Sequence, residues 1–419
     1  MTTANANYDV IVIGGGASGM MAALTAASNG ASVLLLDKNE RLGEKLRITG
    51  GGRCNITNAE PNIRTLLANY GDAEKFLYSA FSQFDNNHAI EFFSSLGLPT
   101  KTEDRQRVFP ISESAPDVAN KLVNALRDAN VAVSLNTTVT KLNIEDGNIQ
   151  SASTANQELK ATNFILATGG TSRPDTGATG DGFDWLGDTG HNVQEATPDI
   201  TPLSVEEPVV EKVAGNTVKN ANLTFLVDGK TKFKVNGDVL FTHFGLSGPT
   251  ILNCASKVKS ILEEGVVTVR IDLRPGSTET QLDQEIIKVL AEHPGKQVKN
   301  VLSYFTPDGF KPLVSMLLSD TINLDTKTSE FSRANRKMLV DTIKGIKLTI
   351  NGLMGFERAV VADGGVALTD IDMRTMRSQV INNLFVTGDL LNINRPSGGY
   401  SLQLCWTTGY IAGLNASQN

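Results

Sequence analysis

Short apolar runs punctuate the chain, and an unusual turn follows the first of them. Residues 10–13 are Val-Ile-Val-Ile, the unbroken pattern of a strand buried on both faces. Gly14-x-Gly16-x-x-Gly19 comes at once, then an alanine-rich helical stretch over 20–28. A second apolar run, 32–36, ends at Asp37. The predicted order is strand, glycine turn, helix, strand, acid. Farther on, Phe76, Leu77, Phe81, Phe84, Ile90 and Phe93 recur near helical spacing and predict one helical region over 73–96. A loop is expected over 105–110 and a helix over 118–130. Residues 132–135 and 139–144 read as strands, with Gly147-Asn148 as a hairpin turn before a strand at 149–153. Residues 164–168 read as a buried strand that stops at Gly169-Gly170.

The texture changes near Thr197. Short β-like pieces crowd 201–248 (223–227, 232–235, 239–241), and 267–273 adds another. Helices are expected over 281–291, 310–318 and 329–343, and a short strand over 348–350. This is α+β character, not a βαβ alternation. The first style returns at the end: an apolar strand over 383–387, a loop rich in Asn, Pro and Gly, and a helix over 400–414. The predicted fold class is α/β, a Rossmann-like domain in three sequence pieces with an inserted β-rich plus helical domain. The boundaries are 1–196 and 351–419 for the first domain and 197–350 for the insert, expected to be β-barrel-like, helical and on the substrate side.

The glycine turn carries the first chemical reading. Gly14 permits a tight turn, Gly16 lets a pyrophosphate approach the backbone, and Gly19 lets helix and strand pack closely. The helix start, with Ala17 and Ser18, offers free N–H groups and a positive dipole end to phosphates. Asp37 stands 23 residues past Gly14, placed to accept hydrogen bonds from a ribose diol. The pattern predicts a dinucleotide site.

Two features select FAD over NAD. Phe385-Val386-Thr387-Gly388-Asp389 is a strand ending in Gly-Asp, which can bring a carboxylate to a ribityl chain that NAD lacks. Gly398-Gly399 opens a helix whose N-terminus can face the flavin pyrimidine ring and stabilise negative charge there.

Bulk properties narrow the partners. The chain has 419 residues, enough for two or three domains with sizeable cores. Its net charge is −7 and it has no basic run of the required length, which argues against a nucleic-acid partner. Three widely spaced cysteines without a C-x-x-C make a disulfide framework a poor reading. No apolar run approaches a membrane span, and no leader is visible ahead of the first strand. The expectation is a cytoplasmic protein with a small-molecule substrate, no metal and no membrane partner; its oligomeric state is open.

With these motifs assembled, the chain resembles the two-dinucleotide-fold flavoproteins in their glutathione-reductase-2-type branch. Within that branch it resembles the BaiN-like, aminoacetone-oxidase-like family of FAD-dependent oxidoreductases. The matching segments run in order from end to end: Lys38-Asn-Glu-Arg-Leu-Gly43, Gly50-Gly-Gly-Arg-Cys-Asn55, Arg107-Val-Phe-Pro110, Ala167-Thr-Gly-Gly170, Thr176-Gly-Ala-Thr-Gly-Asp-Gly182, the segment 240–249, Gly364-Gly-Val-Ala-Leu368 and Pro396-Ser-Gly-Gly-Tyr400. The resemblance implies an extended FAD. Gly14, Gly16, Ala17, Ser18 and Gly19 would hold its pyrophosphate, and Asp37 and Lys38 its adenosine end. Gly50, Gly51, Gly52 and Arg53 would lie beside it, and Val139 would offer backbone to the adenine. Ala167, Thr168 and Gly169 would pass under the pyrophosphate, while Gly388, Asp389, Gly399 and Tyr400 would sit at the ribityl and ring end.

A flavin carries the redox chemistry, so no sharp catalytic triad is expected. Cys54 stands where disulfide-reductase flavoproteins begin a redox pair, but Ala59 stands five residues on. It is read as a structural or cofactor-lining residue, with a redox thiol as the alternative. The catalytic candidates are His243, beside a Gly-Pro turn; Arg107, on a loop with Pro; and Arg395, just before the Gly-Gly turn. Arg173 is a similar candidate for holding a carboxylate. No second fingerprint exists, so NAD(P)H would visit the flavin transiently as donor. The expected function is flavin-mediated hydride transfer on a small metabolite, either as a reductase fed by NAD(P)H or as an amine-type oxidase using oxygen. The alternatives are an RNA-modifying flavoprotein and a non-catalytic FAD-binding protein.

Overall fold

A computed structural model describes residues 8–418. The seven residues ahead of the first strand, and with them the reading that no leader is present, lie outside the described residues. Two compact units divide the chain, one of Met1–Pro198 with Ala359–Asn419, the other of Asp199–Arg358.

A parallel sheet organises the first unit. Its strands are β1 (Tyr8–Ile13), β2 (Val33–Leu36), β3 (Ala132–Ser134), β4 (Ala161–Leu166) and β5 (Leu384–Val386), in the spatial order β5-β4-β1-β2-β3. Every neighbouring pair is parallel. Val10, Ile11 and Val12 are wholly buried, as continuous apolar runs require when both faces are covered.

The helix α1 (Ala17–Ser28) and the C-terminal helix α2 (Tyr400–Ala416) pack directly on each other. Gly409 and Gly413 sit four residues apart, on one face of α2. A Cβ at Gly409 would meet the Ser18 carbonyl oxygen at 2.4 Å, and one at Gly413 would meet the Ala22 oxygen at 2.3 Å. Small residues on both helices therefore set this close approach.

The second unit is a closed antiparallel barrel. Around it run the strands Leu203–Val205, Gly245–Ser247, Lys230–Thr242, Thr217–Val227, Val267–Asp272 and Ile346–Leu353. Alternation of period two fills its interior: Leu223, Phe225 and Val227 face Val267, Val269 and Ile271, all buried. Thr278 and Ser332 cap the two longest helices of this unit, Glu279–Glu292 and Arg333–Ile343.

Five details differ from the expectation. The first unit is made of two stretches of chain rather than three, because the helices between Ile63 and Ser95 belong to the same core. Residues 351–358 belong with the barrel: the strand Ile346–Leu353 runs past 350 to pair with Leu203–Val205. The helical region over 73–96 is two helices, Glu74–Phe81 and Asn86–Ser95. Asp85 starts the second with a capping box to His88, which the hydrophobic spacing could not reveal. The loop over 105–110 contains the strand Arg107–Pro110, which pairs with Thr57–Asn58 and Thr100–Glu103. The hairpin turn is Asp146-Gly147, both with positive φ (49° and 70°), rather than Gly147-Asn148.

Candidate cofactor site

The carboxyl ends of β1, β2 and β4, and the loop after β5, open onto one cavity in the first unit. Its lining includes Ile13, Leu36, Ala167 and Asp389. The chain runs outward from β1 to β2 and β3 on one side, then crosses back to β4 on the other side of β1, so the cavity sits where the strand order reverses.

The three glycines of the first turn have three separate causes. Gly14 has φ +106°, and a Cβ there would lie 2.4 Å from the Ala167 oxygen of the neighbouring strand end. A Cβ on Gly19 would lie 1.8 Å from the Gly14 oxygen. Gly16 is different: its φ is −76°, and a Cβ there would meet no protein atom within 4 Å. Gly14 and Gly19 are glycine because protein is close. Gly16 faces open space, as a cradle for a ligand does. No side chain caps α1 and no acid occupies its first turn, so its N-terminal N–H groups point to the cavity unneutralised. The buried Thr168 hydroxyl, also in the lining, has no hydrogen-bond partner.

At the adenosine end the chain clasps itself. Asp37 accepts the Gly15 N–H (2.7 Å) on one carboxylate oxygen and the Asn39 N–H (2.8 Å) on the other. Burial lifts its carboxyl pKa, against the pull of those two bonds. So Asp37 shapes the turn as well as facing the cavity, and each oxygen keeps acceptor capacity for a diol. Lys38 donates to Asp181 (2.7 Å) and Thr179 (2.5 Å), tying the end of β2 to the loop before the helix Asp181–Asp188.

A charged cluster forms another wall. Asp389 accepts from Arg395 on one oxygen and from Lys45 on the other (3.3 Å). Lys45 also donates to Ser172 at 2.5 Å. Burial alone would raise the Asp389 pKa, but the charges of Arg395 and Lys45 outweigh it and hold the carboxyl at about 2. Two cations surround one carboxylate, leaving one net positive charge. Lys45, in the lining, carries it to the cavity.

The cavity lining brings together eleven predicted residues: Gly14, Gly16, Ala17, Ser18, Asp37, Lys38, Val139, Ala167, Thr168, Gly169 and Asp389. It also includes residues that sequence reasoning missed, chiefly Lys45, Asp181, Trp185, Leu402 and Cys405. Thr137 and Thr138 could have been found as neighbours of Val139. Asp181 lies in the segment 176–182 that carried the resemblance and could have been found there. Lys45, Trp185, Leu402 and Cys405 are delivered by loops and helix faces far apart in sequence.

Other predicted residues lie outside the lining. Gly19 and Gly388 are packing positions; a Cβ on Gly388 would meet the Ser18 hydroxyl at 2.8 Å. Gly399 has φ +106° and stands against the Thr57 backbone, 2.3 Å from an added Cβ. Tyr400 accepts the Tyr70 hydroxyl on its carbonyl (2.9 Å) and meets that ring edge-on. Gly50, Gly51 and Gly52 form a loop with positive φ throughout. Arg53 pairs with Glu103 (2.5 Å) and Glu113 (3.2 Å) and lies over the Phe109 ring. Cys54, expected beside the cofactor, is wholly buried, and burial pushes its thiol to about 12. That removes it as a thiolate redox centre at neutral pH.

None of the three catalytic candidates lines the cavity. Arg395 is 3% exposed, and its guanidinium is taken up by Asp389, Ser401 and the Ile393 carbonyl. It positions Asp389. Arg107 donates to the Asp104 carbonyl and rests over Phe109. His243 belongs to the barrel unit, where it is exposed with its ring against Phe244. Arg173 is paired with Asp175. Among the described residues no cluster of His, Cys, Asp or Glu has metal-binding geometry, and no helix is long and apolar enough to cross a membrane.

The residues present fit an extended FAD. Gly16 leaves room for a pyrophosphate, and the start of α1 and Lys45 supply positive potential.

Comparison with known proteins agrees with this geometry. A family model described as the HI0933-like protein Rossmann domain matches residues 8–415. A 3-dehydro-bile acid delta(4,6)-reductase of Clostridium scindens is 31% identical over 412 residues, covering 97% of this chain and 98% of the relative. A ribosomal RNA dihydrouridine synthase of Escherichia coli is 28% identical over 408 residues, covering 96% of each. Among solved structures, the 3-ketosteroid-delta4-(5alpha)-dehydrogenase of Rhodococcus jostii RHA1 is similar with a TM-score of 0.55 at 16% identity. It spans 100% of this chain and 98% of its own, a likeness of fold. The chain belongs to the HI0933-like Rossmann family and is an FAD-dependent oxidoreductase.

Proposed function

We propose that this protein reduces a carbon–carbon double bond conjugated to a carbonyl in a small metabolite. The observation that carries the reading is a pair of relatives matched over nearly their whole length. One is named a reductase of a bile acid's delta(4,6) unsaturation, the other a synthase of dihydrouridine, which is uridine with two more hydrogens. Their substrates differ widely, yet both names describe hydrogen added across a double bond next to a carbonyl. What this chain shares with both is the cofactor-binding scaffold.

In the reaction the substrate gains one hydride and one proton, and its double bond becomes a single bond. When bound and reduced, FAD would supply the hydride, with NAD(P)H as its external two-electron donor and solvent water as the source of the proton. The chain's residues bind and tune. The start of α1, with Gly16, holds the pyrophosphate. Lys45, kept in place by Ser172 and Asp389, presents positive charge that favours the electron-rich reduced state. Arg395 fixes Asp389 in its ionised form.

The test is anaerobic. The holoenzyme is mixed with NADH, then NADPH, and the flavin band is followed. A conjugated enone is then added, and reoxidation of the band with stoichiometric saturated product supports the reading. A flavin that neither nucleotide bleaches, or that reacts with oxygen and amines only, overturns it. A second reading, reduction of uridine in ribosomal RNA, is favoured by the relatives named for that reaction. It predicts dihydrouridine in RNA treated with the reduced enzyme, binding that weakens steeply with salt, and no turnover of free enones.

A further inference from the structure

The segment 38–49 is a wall with two sides. Lys38, Glu44, Lys45 and Thr49 face the cofactor cavity. Arg41, Leu42 and Arg47 face a second concavity of about 540 Å³ on the other side, completed by residues of the helix Ala115–Asp128 and of β3 and its flanks. Its apolar lining is Leu42, Val123, Val131, Val133 and Leu135; Leu42 and Val131 are buried, and Val133 is 40% exposed.

Three arginines rim this apolar surface: Arg41, Arg47 and Arg127. Arg41 is held by both carboxylate oxygens of Glu44, and Arg127 is ion-paired with Asp128 (3.5 Å) at an exposed position. Arg47 is the distinctive one. It donates only through Nε, to the Leu42 carbonyl at 3.2 Å, and no carboxylate lies within ion-pair distance of it among the described residues. Burial, and then the charge of Arg41, make its protonated form harder to hold, while the nearby Glu44 carboxylate works the other way. A partly desolvated guanidinium with no ion-pair partner of its own, above an apolar floor, is complemented by one kind of group: an anion attached to an apolar body. The volume falls within the roughly 300–1,000 Å³ of small-molecule pockets.

We propose that this second concavity is a binding site for an amphipathic carboxylate, its charge on Arg47 and its hydrocarbon on Val133 and Leu135. β3 is the sheet's last strand, so its flank is available to a ligand without displacing another strand. The site is separate from the cofactor cavity, and the proposal does not depend on which reaction the flavin performs.

Calorimetric titration of the FAD-loaded protein with decanoate, decanol and decylamine tests it. The expected result is saturable binding of one decanoate, at least about tenfold tighter than decanol, with decylamine weaker still. Val133→Asp, which puts a negative charge on the floor at an exposed position, is expected to weaken decanoate at least about tenfold while the FAD-to-protein ratio stays unchanged. Arg47→Gln is expected to do the same. Equal affinity for decanoate and decanol, non-saturable uptake, or wild-type affinity in Val133→Asp would overturn the proposal.

Discussion

The glycine turn after β1 and the charged wall around Asp389 serve the same cavity, yet they are built in opposite ways. The turn is local: six consecutive residues whose backbone sterics fix the shape, with Gly14 and Gly19 pressed by protein and Gly16 facing space. The wall is assembled from Lys45, Ser172, Asp389 and Arg395, which span most of the chain and cohere through charge. A site built from backbone tolerates little change in size at its packed glycines but does not depend on pH. A site built from buried charges depends on every partner being present, because each alone would be a desolvated ion.

The largest effect should come from the wall. Asp389→Ala leaves the Arg395 guanidinium, 1% exposed in its side chain, without its counter-charge, and is expected to cost about 3–5 kcal/mol in urea denaturation. The double variant Asp389→Leu with Arg395→Met should recover much of that loss. If the single variant melts like the wild type, the wall is not a stabilising cluster. The same carboxyl sets a pH window. Its folded pKa of about 2 lies below the ordinary value of 3.8, so its contribution is fully present above about pH 5 and is lost as pH falls toward 2. An acid titration of stability should lose this component in Asp389→Asn.

The turn gives the next two effects and separates its glycines. Gly16→Val should fold normally, because φ is −76° and no protein atom stands near, yet it should bind FAD at least about 100-fold more weakly, or about 2.7 kcal/mol. The absorbance ratio of flavin to protein reads this directly, and a fully yellow variant would sink the assignment of the cradle. Gly14→Ala should do the reverse at first order. With φ +106° and a backbone oxygen 2.4 Å from the new Cβ, it should lose about 2 kcal/mol of stability. Lys38→Ala should have the smallest effect: its pair with Asp181 is partly exposed, so about 1 kcal/mol or less is expected, shrinking with added salt. A faster release of FAD at low salt from this variant would mark the clasp as a retention device.

Legibility follows the same division. The strands β1, β2 and β4 and both packed helices could be read because unbroken apolar runs and glycine spacing are local consequences of burial and steric contact. Reading failed at Asp85, where a side-chain cap splits one apolar pattern into two helices, and at Arg107–Pro110, where pairing partners make a strand of a polar segment. Of the readings open for Cys54, structural or cofactor-lining, burial fits the structural one, and spacing alone could not choose between them. Its neighbours in sequence are glycine and arginine, but its side chain points to the core.

The sequence by itself marked Gly16 and the start of α1 as the place where a dinucleotide is expected to meet the chain. The reason is that only a residue without a side chain, at a helix start free of acid, leaves both room and unneutralised N–H groups. Which charges meet that cofactor was decided only in three dimensions. Lys45, Asp389 and Arg395 acquire their roles from one another, through Coulomb interactions in a desolvated wall, and no spacing along the chain encodes a distance that folding alone creates.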